Sequence, residues 1–339
     1  MSRKKKTSHL LKFVYGVCGI VGLVLAAFIY VFCIVSRVQT NTTFIVGRGA
    51  SVSAVAGRLE SHNMILGADM FKFCVRMQGG KIQSGEYEIP AGASMWRIAD
   101  MLANGRIATT TVVIPEGLTV QQIKELLLAA SNLTGGVDCD GDLSRPVCNL
   151  RDGDVFPDTY FVAKGTTRLA VLELARKKMT DIHDAWARAG HFAPEPLKSW
   201  NDIVTLASIV QKETPRESEM PVVASVYLNR LNKKMRLQAD PTVVYALTNG
   251  YGDMQGAALL RGHLKTDSPY NTYMHYGLPP APIANVGQAA IRAVLKPADT
   301  NFLFFVADGQ GGHRFAKSYE EHQKNHADWR AIKKIKNKN

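Results

Sequence analysis

The chain has 339 residues and a formal net charge of +12, with 46% hydrophobic and 21% charged residues, a composition that excludes a wholly disordered protein. A chain this basic would suggest nucleic acid as a partner if the charge were spread evenly. However, five basic residues without an acid in residues 1–12, and five against one acid in residues 328–339, account for nine of the twelve net charges. The remainder is close to neutral, so no nucleic acid is predicted as a partner.

The first predicted element is a membrane-spanning helix over residues 13–35, a run of 23 residues without a charge. At about 1.5 Å per residue, a helix of this length crosses a hydrocarbon core of about 30 Å. A cleaved signal peptide is the alternative, but its apolar run would be shorter and would end in small residues. Because basic residues precede the run, we expect residues 1–12 in the cytoplasm and the rest of the chain in the periplasm of a bacterium.

A strand–turn–helix pattern occurs three times between residues 44 and 133, in copies that begin at Ile45, Glu88 and Val113. Each copy has a Gly in the turn, then a Ser or Thr to cap the helix, then apolar residues three and four positions apart. A unit this small cannot bury its apolar face alone, so the copies must pack on something. The pattern resembles the peptidoglycan-binding LysM module, and a generic α+β packing unit is the alternative.

The cysteines do not have the spacing of zinc ligands, and no metal or other cofactor is predicted. Cys139 and Cys148 flank a short stretch rich in Asp and Gly. In an oxidising compartment they could close a small disulfide loop, and the sequence leaves this open.

Residues 201–214 predict a helix that Asn201 or Asp202 caps and Pro215 ends. The apolar positions form one stripe along it: Ile203, Leu206, Ile209 and Val210. Glu213 continues this stripe, where burial and the negative end of the helix dipole would raise the pKa of its carboxyl. A carboxyl that stays protonated near neutral pH suits a general acid for glycosidic bond cleavage. The spacing alone does not distinguish this role from a structural Glu paired to an Arg or one at a frayed helix end.

The segments that follow have the composition of a sugar-binding cleft. A second helix is predicted over residues 219–231, and polar, aromatic and Pro-rich stretches occupy residues 237–245, 268–273 and 277–283. Planar rings can stack on pyranose faces, and amide and hydroxyl groups can bond sugar hydroxyls. Each stretch alone would be read as a rigid turn, but together they favour a groove.

These segments closely resemble the YceG-like (MltG) family of membrane-anchored endolytic murein transglycosylases, and the resemblance covers roughly residues 44–335. It rests on seven strings: ASIVQKET at 207–214, VASVYLNRL at 223–231, MRLQADPTVVY at 235–245, YNTY at 270–273, GLPP at 277–280, FFVADG at 304–309 and GH at 312–313. The sequence departs from the family pattern at Ala239, where Ser or Thr is usual, and at Val286, where Pro is common.

The resemblance implies a lyase that cleaves the β-1,4 bond between N-acetylmuramic acid and N-acetylglucosamine within nascent glycan strands. One Glu would protonate the leaving oxygen and then assist attack by the C6 hydroxyl, leaving 1,6-anhydromuramic ends and terminating strand elongation. In the family motif that acid falls on Glu213. Many relatives carry a second Glu where this chain has Gln211. Other matching positions are expected to form the cleft or orient Glu213: Glu219, Asn229, Arg230, Gln238, Asp240, Thr242, Tyr270 and Asn271.

The predicted fold class is therefore α+β. The predicted domains are a cytoplasmic stub at 1–12, a transmembrane helix at 13–35, a LysM-like module at 44–133 and a mixed α/β catalytic domain at 155–335. Expected partners are peptidoglycan glycan strands and, by the resemblance, peptidoglycan synthases in the same inner membrane. Two alternatives stay open. One is a hydrolytic muramidase with Asp240 as second carboxylate, and the other is a non-catalytic, wall-binding membrane scaffold.

Overall fold

The computed structural model describes residues 15–24, 26–27, 30, 35–139, 145–190 and 192–336. The predicted stub at 1–12 lies outside these residues, as does part of the predicted membrane helix at 13–35. Residues 15–24 are helical, but within the described part of the chain no helix is both long and apolar enough to cross a membrane. The membrane span therefore stays a prediction.

The chain divides into two compact units. The first comprises residues up to Thr110 together with Val162–Gly165, and the second comprises Thr111–Phe161 and Thr166–Asn339. The first unit holds these elements: β1 (Thr42–Val46), α1 (Val52–Ser61), α2 (Ala68–Met77), β2 (Gly85–Ile89) and α3 (Met95–Ala103). The division passes through β3 (Thr109–Val113) and β4 (Thr159–Ala163), which form a two-stranded sheet.

The first unit contains the first two copies of the repeat, each a strand followed by a capped helix as predicted. The side-chain oxygens of Ser51 and Ser94 accept hydrogen bonds from backbone N–H groups in the first turns of α1 and α3. β1 and β2 pair antiparallel, with Phe44 opposite Tyr87 on the buried face. The order β1–α1–α2–β2 buries one apolar core, whose largest members include Phe71 and Tyr87.

The second unit is mostly helical. Its elements are α4 (Val120–Ala129), α5 (Arg168–Arg188), α6 (Trp200–Glu213), α7 (Met220–Asn232), α8 (Asp240–Leu247), α9 (Gln288–Leu295), β5 (Phe304–Ala307), β6 (His313–Ala316) and α10 (Tyr319–Lys336). The third copy of the repeat, β3 and α4, falls mainly in this unit. β5 and β6 pair antiparallel in a two-stranded sheet. This mixture of helices and small sheets confirms the predicted α+β class.

Three helices, α6, α7 and α9, pack on one another to form the core of the second unit. The apolar stripe predicted on α6 is buried, with Ile203, Leu206, Ile209 and Val210 fully inside. The predicted cap was wrong. Ser199 caps α6, and Asp202 is the reciprocal partner that accepts from the backbone N–H of Ser199. Elsewhere in this unit, Cys139 and Cys148 form a disulfide with their Cα atoms 5.6 Å apart.

Candidate active site

Glu213 is the last residue of α6, where Thr214 turns to an extended conformation and Pro215 stops the helix. Its side chain is half-buried against α7. There the Tyr227 hydroxyl donates a hydrogen bond of 2.7 Å to Glu213 Oε1. Tyr227 is only 1% exposed, so its ring is fixed by the core and its hydroxyl fixes the carboxyl. The carboxyl is thus held at the end of a rigid helix by a neighbouring rigid helix.

Burial raises the pKa of the Glu213 carboxyl from 4.5 to about 7. The negative charge of Asp240 adds to this effect, while the hydrogen bond from Tyr227 and the positive charge of Arg230 oppose it. A large fraction of this carboxyl is therefore protonated at neutral pH. The direction is the one that the apolar stripe of the sequence predicted.

A second tyrosine holds the carboxylate that acts on Glu213. Asp240 is exposed at the start of α8, and the Tyr273 hydroxyl donates a hydrogen bond of 2.6 Å to Asp240 Oδ1. Burial, followed by Asp240 and Glu213, raises the pKa of Tyr273. Burial and Glu213 likewise raise the pKa of Tyr227. Both phenols therefore remain protonated and act as hydrogen-bond donors throughout the physiological range.

Two of the predicted residues on α7 hold backbone segments in place. Asn229 Nδ2 donates to the carbonyls of Thr300 and Phe302, at 2.8 and 3.0 Å. Arg230 is 8% exposed, and it donates from Nε to the Leu303 carbonyl and from Nη1 to the Leu237 carbonyl, both at 2.6 Å. These bonds fix the chain before β5 and before α8. The buried guanidinium also contributes the positive charge felt by Glu213.

Glu219 orients the chain that follows Glu213. Its carboxylate accepts hydrogen bonds from His313, through the backbone N–H at 3.3 Å and Nδ1 at 2.8 Å, and from the Thr214 hydroxyl at 3.4 Å. Burial alone would raise the pKa of Glu219, but the hydrogen bonds from His313 and the charge of Arg216 lower it overall. Glu219 is therefore ionised at neutral pH. A Cβ on Gly312 would come within 2.4 Å of Glu219 Oε1, so a side chain at this position would force the Glu219 carboxylate to shift.

Most of the remaining predicted residues shape loops. Thr242 and Asn271 are fully buried. The Thr242 hydroxyl donates to the Ala239 carbonyl at 2.6 Å, and Asn271 Nδ2 donates to two loop carbonyls before it. Gln238 is exposed just before α8, with a φ of 50°. Tyr270 lies elsewhere, with its ring centroid 4.8 Å from that of Tyr245.

Three contacts anchor the end of α6. Ser208 Oγ accepts from the Ile283 N–H at 3.0 Å, Gln211 Oε1 accepts from the Gly287 N–H at 3.2 Å, and Lys212 Nζ donates to the Gly117 carbonyl at 3.3 Å. Gln211 therefore has a structural task that an amide oxygen performs as well as a carboxylate oxygen. This explains how a Gln is accommodated where the resemblance suggested that relatives carry Glu.

The sequence interpretation did not include Tyr227 and Tyr273 among the site residues. Tyr227 lies within the string VASVYLNRL, and Tyr273 ends the string YNTY. A signal existed for Tyr227, because a Tyr on a buried helix face needs a partner for its hydroxyl. That partner is the carboxyl of Glu213, on the helix that precedes α7.

We expect the pKa of Glu213 to move in opposite directions in two variants. Asp240→Asn removes a negative charge and should lower it, whereas Tyr227→Phe removes a donor to the ionised form and should raise it. The measurement is a carbon-detected NMR titration of the full chain with labelled Glu carboxyls, in which Glu213→Gln identifies the resonance. Asp253→Asn, an exposed change elsewhere in the unit, serves as the control. Shifts of the same sign in both test variants would contradict this account.

The fold and site define an α+β protein in which a carboxyl with a pKa of about 7 ends one buried helix and is held by a side chain of the next. The sequence profile of the YceG-like family matches residues 44–328, and the chain belongs to this family. It is 37% identical over 176 residues to a Bacillus subtilis protein named endolytic murein transglycosylase, covering 51% of this chain and 46% of the relative. A Streptococcus pneumoniae protein of the same name is 28% identical over 181 residues, covering 52% and 32%. The chain thus spans less than half the length of the curated relatives it matches.

A solved structure is also similar. The crystal structure of a YceG-like protein from Listeria monocytogenes has 27% sequence identity and a TM-score of 0.48, over 84% of this chain and 99% of that one.

Proposed function

We propose that this protein is an endolytic murein lytic transglycosylase. It cleaves the β-1,4 bond between N-acetylmuramic acid and N-acetylglucosamine within glycan strands, leaves 1,6-anhydromuramic ends and terminates strand elongation. The observation that carries this proposal is the half-buried carboxyl of Glu213, with a pKa of about 7 and a hydrogen bond from Tyr227. The names of the relatives from Bacillus subtilis and Streptococcus pneumoniae support it.

The reaction needs one group that first gives and then takes a proton. Protonated Glu213 transfers its proton to the glycosidic oxygen as the bond from C1 of the muramic residue to that oxygen breaks. The resulting carboxylate then takes the proton of the C6 hydroxyl as that oxygen bonds to C1 and closes the anhydro ring. Glu213 ends protonated again, and no water is consumed. A pKa close to the working pH serves both steps.

A hydrolytic muramidase is the second candidate, and the position of Asp240 is the observation that favours it. Its charge acts on Glu213, and Tyr273 holds it in place. Glycoside hydrolases use two carboxyls, one as acid and one as nucleophile or base. Under this alternative Asp240 would activate water or attack C1. A wall-binding scaffold without catalysis is the third candidate.

We also propose that the protein lies in the bacterial inner membrane. Residues 13–35 would anchor the chain in the bacterial inner membrane as a single span, with the N-terminus in the cytoplasm and the two units in the periplasm. The disulfide between Cys139 and Cys148 fits an oxidising compartment. The β1–α1–α2–β2 core would act as a LysM-like glycan-binding module, and peptidoglycan synthases in the same membrane would be partners.

Mass spectrometry of the products tests the proposal. The full-length protein is incubated with uncrosslinked glycan strands, and the new strand ends are analysed. We expect 1,6-anhydro ends, because the C6 hydroxyl is the nucleophile. Reducing ends that carry an added water would mean a hydrolase, and no cleavage would leave the scaffold. Glu217→Gln, which changes an exposed Glu on the loop after α6, should cleave like the wild type.

A further inference from the structure

The second unit contains a cavity of about 470 Å³ at the end of α6 remote from Glu213. Its walls are the first turns of α6, one face of α5, the loop over residues 146–154, and Pro282. Trp200 lies in the cavity and Glu213 ends the same helix, so about 20 Å of helical rise separate the two places. None of the residues around the Glu213 carboxyl lines the cavity. It is a separate recess of the same rigid unit.

Two arginines line the cavity, and neither has an acidic partner among the residues that the structure describes. Arg151 and Arg176 both line it, and no hydrogen bond or ion pair joins either guanidinium to another group in the part of the chain that the structure describes. By contrast, the guanidinium of Arg168 in the same unit donates to four backbone carbonyls. Two unpaired guanidinium groups in one recess favour an anionic ligand, and a carboxylate is a good match for their geometry.

The two acids in the cavity wall are already occupied. Asp152 accepts hydrogen bonds from the Val120 N–H at 2.6 Å and from the Tyr245 hydroxyl at 2.6 Å. Asp154 accepts from the backbone N–H of Arg151 at 2.8 Å. These bonds direct their oxygens to the loop, and within the described residues neither carboxylate forms an ion pair with Arg151 or Arg176.

The other part of the lining is aromatic and apolar. The rings of His183 and Trp200, both half-buried, lie with their centroids 5.3 Å apart. Met179 and Val204 are buried and complete the apolar wall. An apolar wall beside two cations suits a ligand with both aliphatic parts and carboxylates, as a short peptide has, better than it suits an uncharged sugar.

The cavity is adjacent to a residue predicted to contact substrate. A neighbouring recess shares Arg151, Asp152 and Pro282 with it and is lined by Tyr245 and Tyr270, whose ring centroids lie 4.8 Å apart. Arg151 therefore stands between the two recesses. A ligand bound in the cavity can continue past Arg151 towards Tyr270.

We propose that this cavity binds a carboxylate-bearing peptide arm of the murein strand, about 20 Å from the carboxyl that acts on the glycosidic bond. The identity of this ligand rests on the proposed function. In murein the sugar backbone is uncharged where the lactyl group of muramic acid is joined to a peptide, so the carboxylates lie on the peptide. Where the peptide has been removed, the lactyl carboxylate is free and is the other source of the same charge. Binding a remote part of a polymer contributes affinity without changing the chemistry at Glu213.

Binding of strands with and without peptides tests this site. The full-length Glu213→Gln chain, which should leave strands intact, is titrated with uncrosslinked peptide-bearing strands and with denuded strands. We expect peptide-bearing strands to bind at least tenfold more tightly, and the double change Arg151→Gln with Arg176→Gln to remove that difference. Arg188→Gln, an exposed arginine at the end of α5, is the control and should preserve it. Weakening confined to the denuded strands would assign the site to the lactyl carboxylate and overturn the peptide assignment.

A second measurement does not depend on cleavage. A free murein peptide and its amidated, uncharged form are titrated into the full-length wild-type chain while Trp fluorescence is recorded, and Trp200→Phe identifies the responding residue. We expect a response to the carboxylate form that the double arginine variant loses. If the wild type does not cleave strands but this response holds, the proposed function fails and the site stands. If cleavage holds and the arginine changes alter no binding, the site is overturned.

Discussion

Replacing Glu213 by glutamine is expected to slow strand cleavage by about 10²–10⁴-fold, the range that loss of a general acid–base group produces. Glutamine has nearly the same shape, and its amide oxygen can still accept the hydrogen bond from Tyr227. It cannot give a proton to the leaving oxygen or take one from the C6 hydroxyl. Because the proposed mechanism uses one carboxyl for both transfers, the upper end of the range is expected. The measurement is the rate at which new strand ends appear, with Glu217→Gln as the matched control.

The same substitution should stabilise the fold at alkaline pH. The pKa of Glu213 is about 7 in the folded protein against 4.5 ordinarily, so the folded state keeps a proton that the unfolded state has lost. The stability of the wild type therefore falls as the pH rises from about 4.5 to 7, by on the order of 3 kcal/mol. Glutamine does not titrate and escapes this loss. Urea denaturation at pH 4 and pH 8 should show that the free energy of unfolding of the variant, relative to that of the wild type, is higher at pH 8 than at pH 4.

The cleavage rate and the stability of the Glu213→Gln variant together distinguish a catalytic Glu213 from a purely structural one. A purely structural Glu would lose stability on replacement, whereas a catalytic one held in an unfavourable setting gains stability and loses activity. Cleavage by the variant at the rate of the wild type would contradict the proposed mechanism. Equal pH dependence of stability in both proteins would show that the folded state does not shift the pKa of Glu213.

Features that depend on residues close together in the sequence could be predicted from it. The apolar stripe on α6 predicted the burial and the raised pKa of the Glu213 carboxyl, and Pro215 predicted the end of the helix to within a residue. The start was misjudged because Asn201, Asp202 and Ser199 are all good caps, and only the reciprocal bond between Ser199 and Asp202 distinguishes them. Where several neighbouring residues are equally suitable as a helix cap, the packing around the start of the helix decides which of them caps it.

What depends on distant segments was not predictable from residue type. Asn229 and Asn271 have side chains that suit sugar hydroxyls, but both donate to backbone carbonyls of loops that carry no motif. Nothing in a sequence states which carbonyl an amide will meet after folding. For the same reason the role of Asn285, which is not among the predicted site residues, could be recognised only from the folded structure.

Asn285 joins three separate segments inside the second unit. It is fully buried, and its Oδ1 accepts hydrogen bonds from the N–H groups of Gly153 and Val155, both at 3.0 Å. Its Nδ2 donates to the Leu118 carbonyl at 2.9 Å. The junction is also tight. Gly153 has a φ of +90°, and a Cβ there would lie 2.8 Å from Pro282.

Replacing Asn285 by alanine is therefore expected to destabilise the protein by about 3–5 kcal/mol. Two buried N–H donors lose their acceptor, and each unsatisfied donor costs roughly 1–3 kcal/mol. Thermal and urea unfolding of the full chain measure the loss, with Asn232→Ala as control because that exposed Asn ends α7 and bonds to none of these segments. The segments joined by Asn285 also border α6, through Ser208 and Gln211, which accept from the N–H groups of Ile283 and Gly287. Loss of Asn285 should thus lower cleavage as well. A loss of stability no greater than in Asn232→Ala would show that water replaces the amide and that the junction does not depend on it.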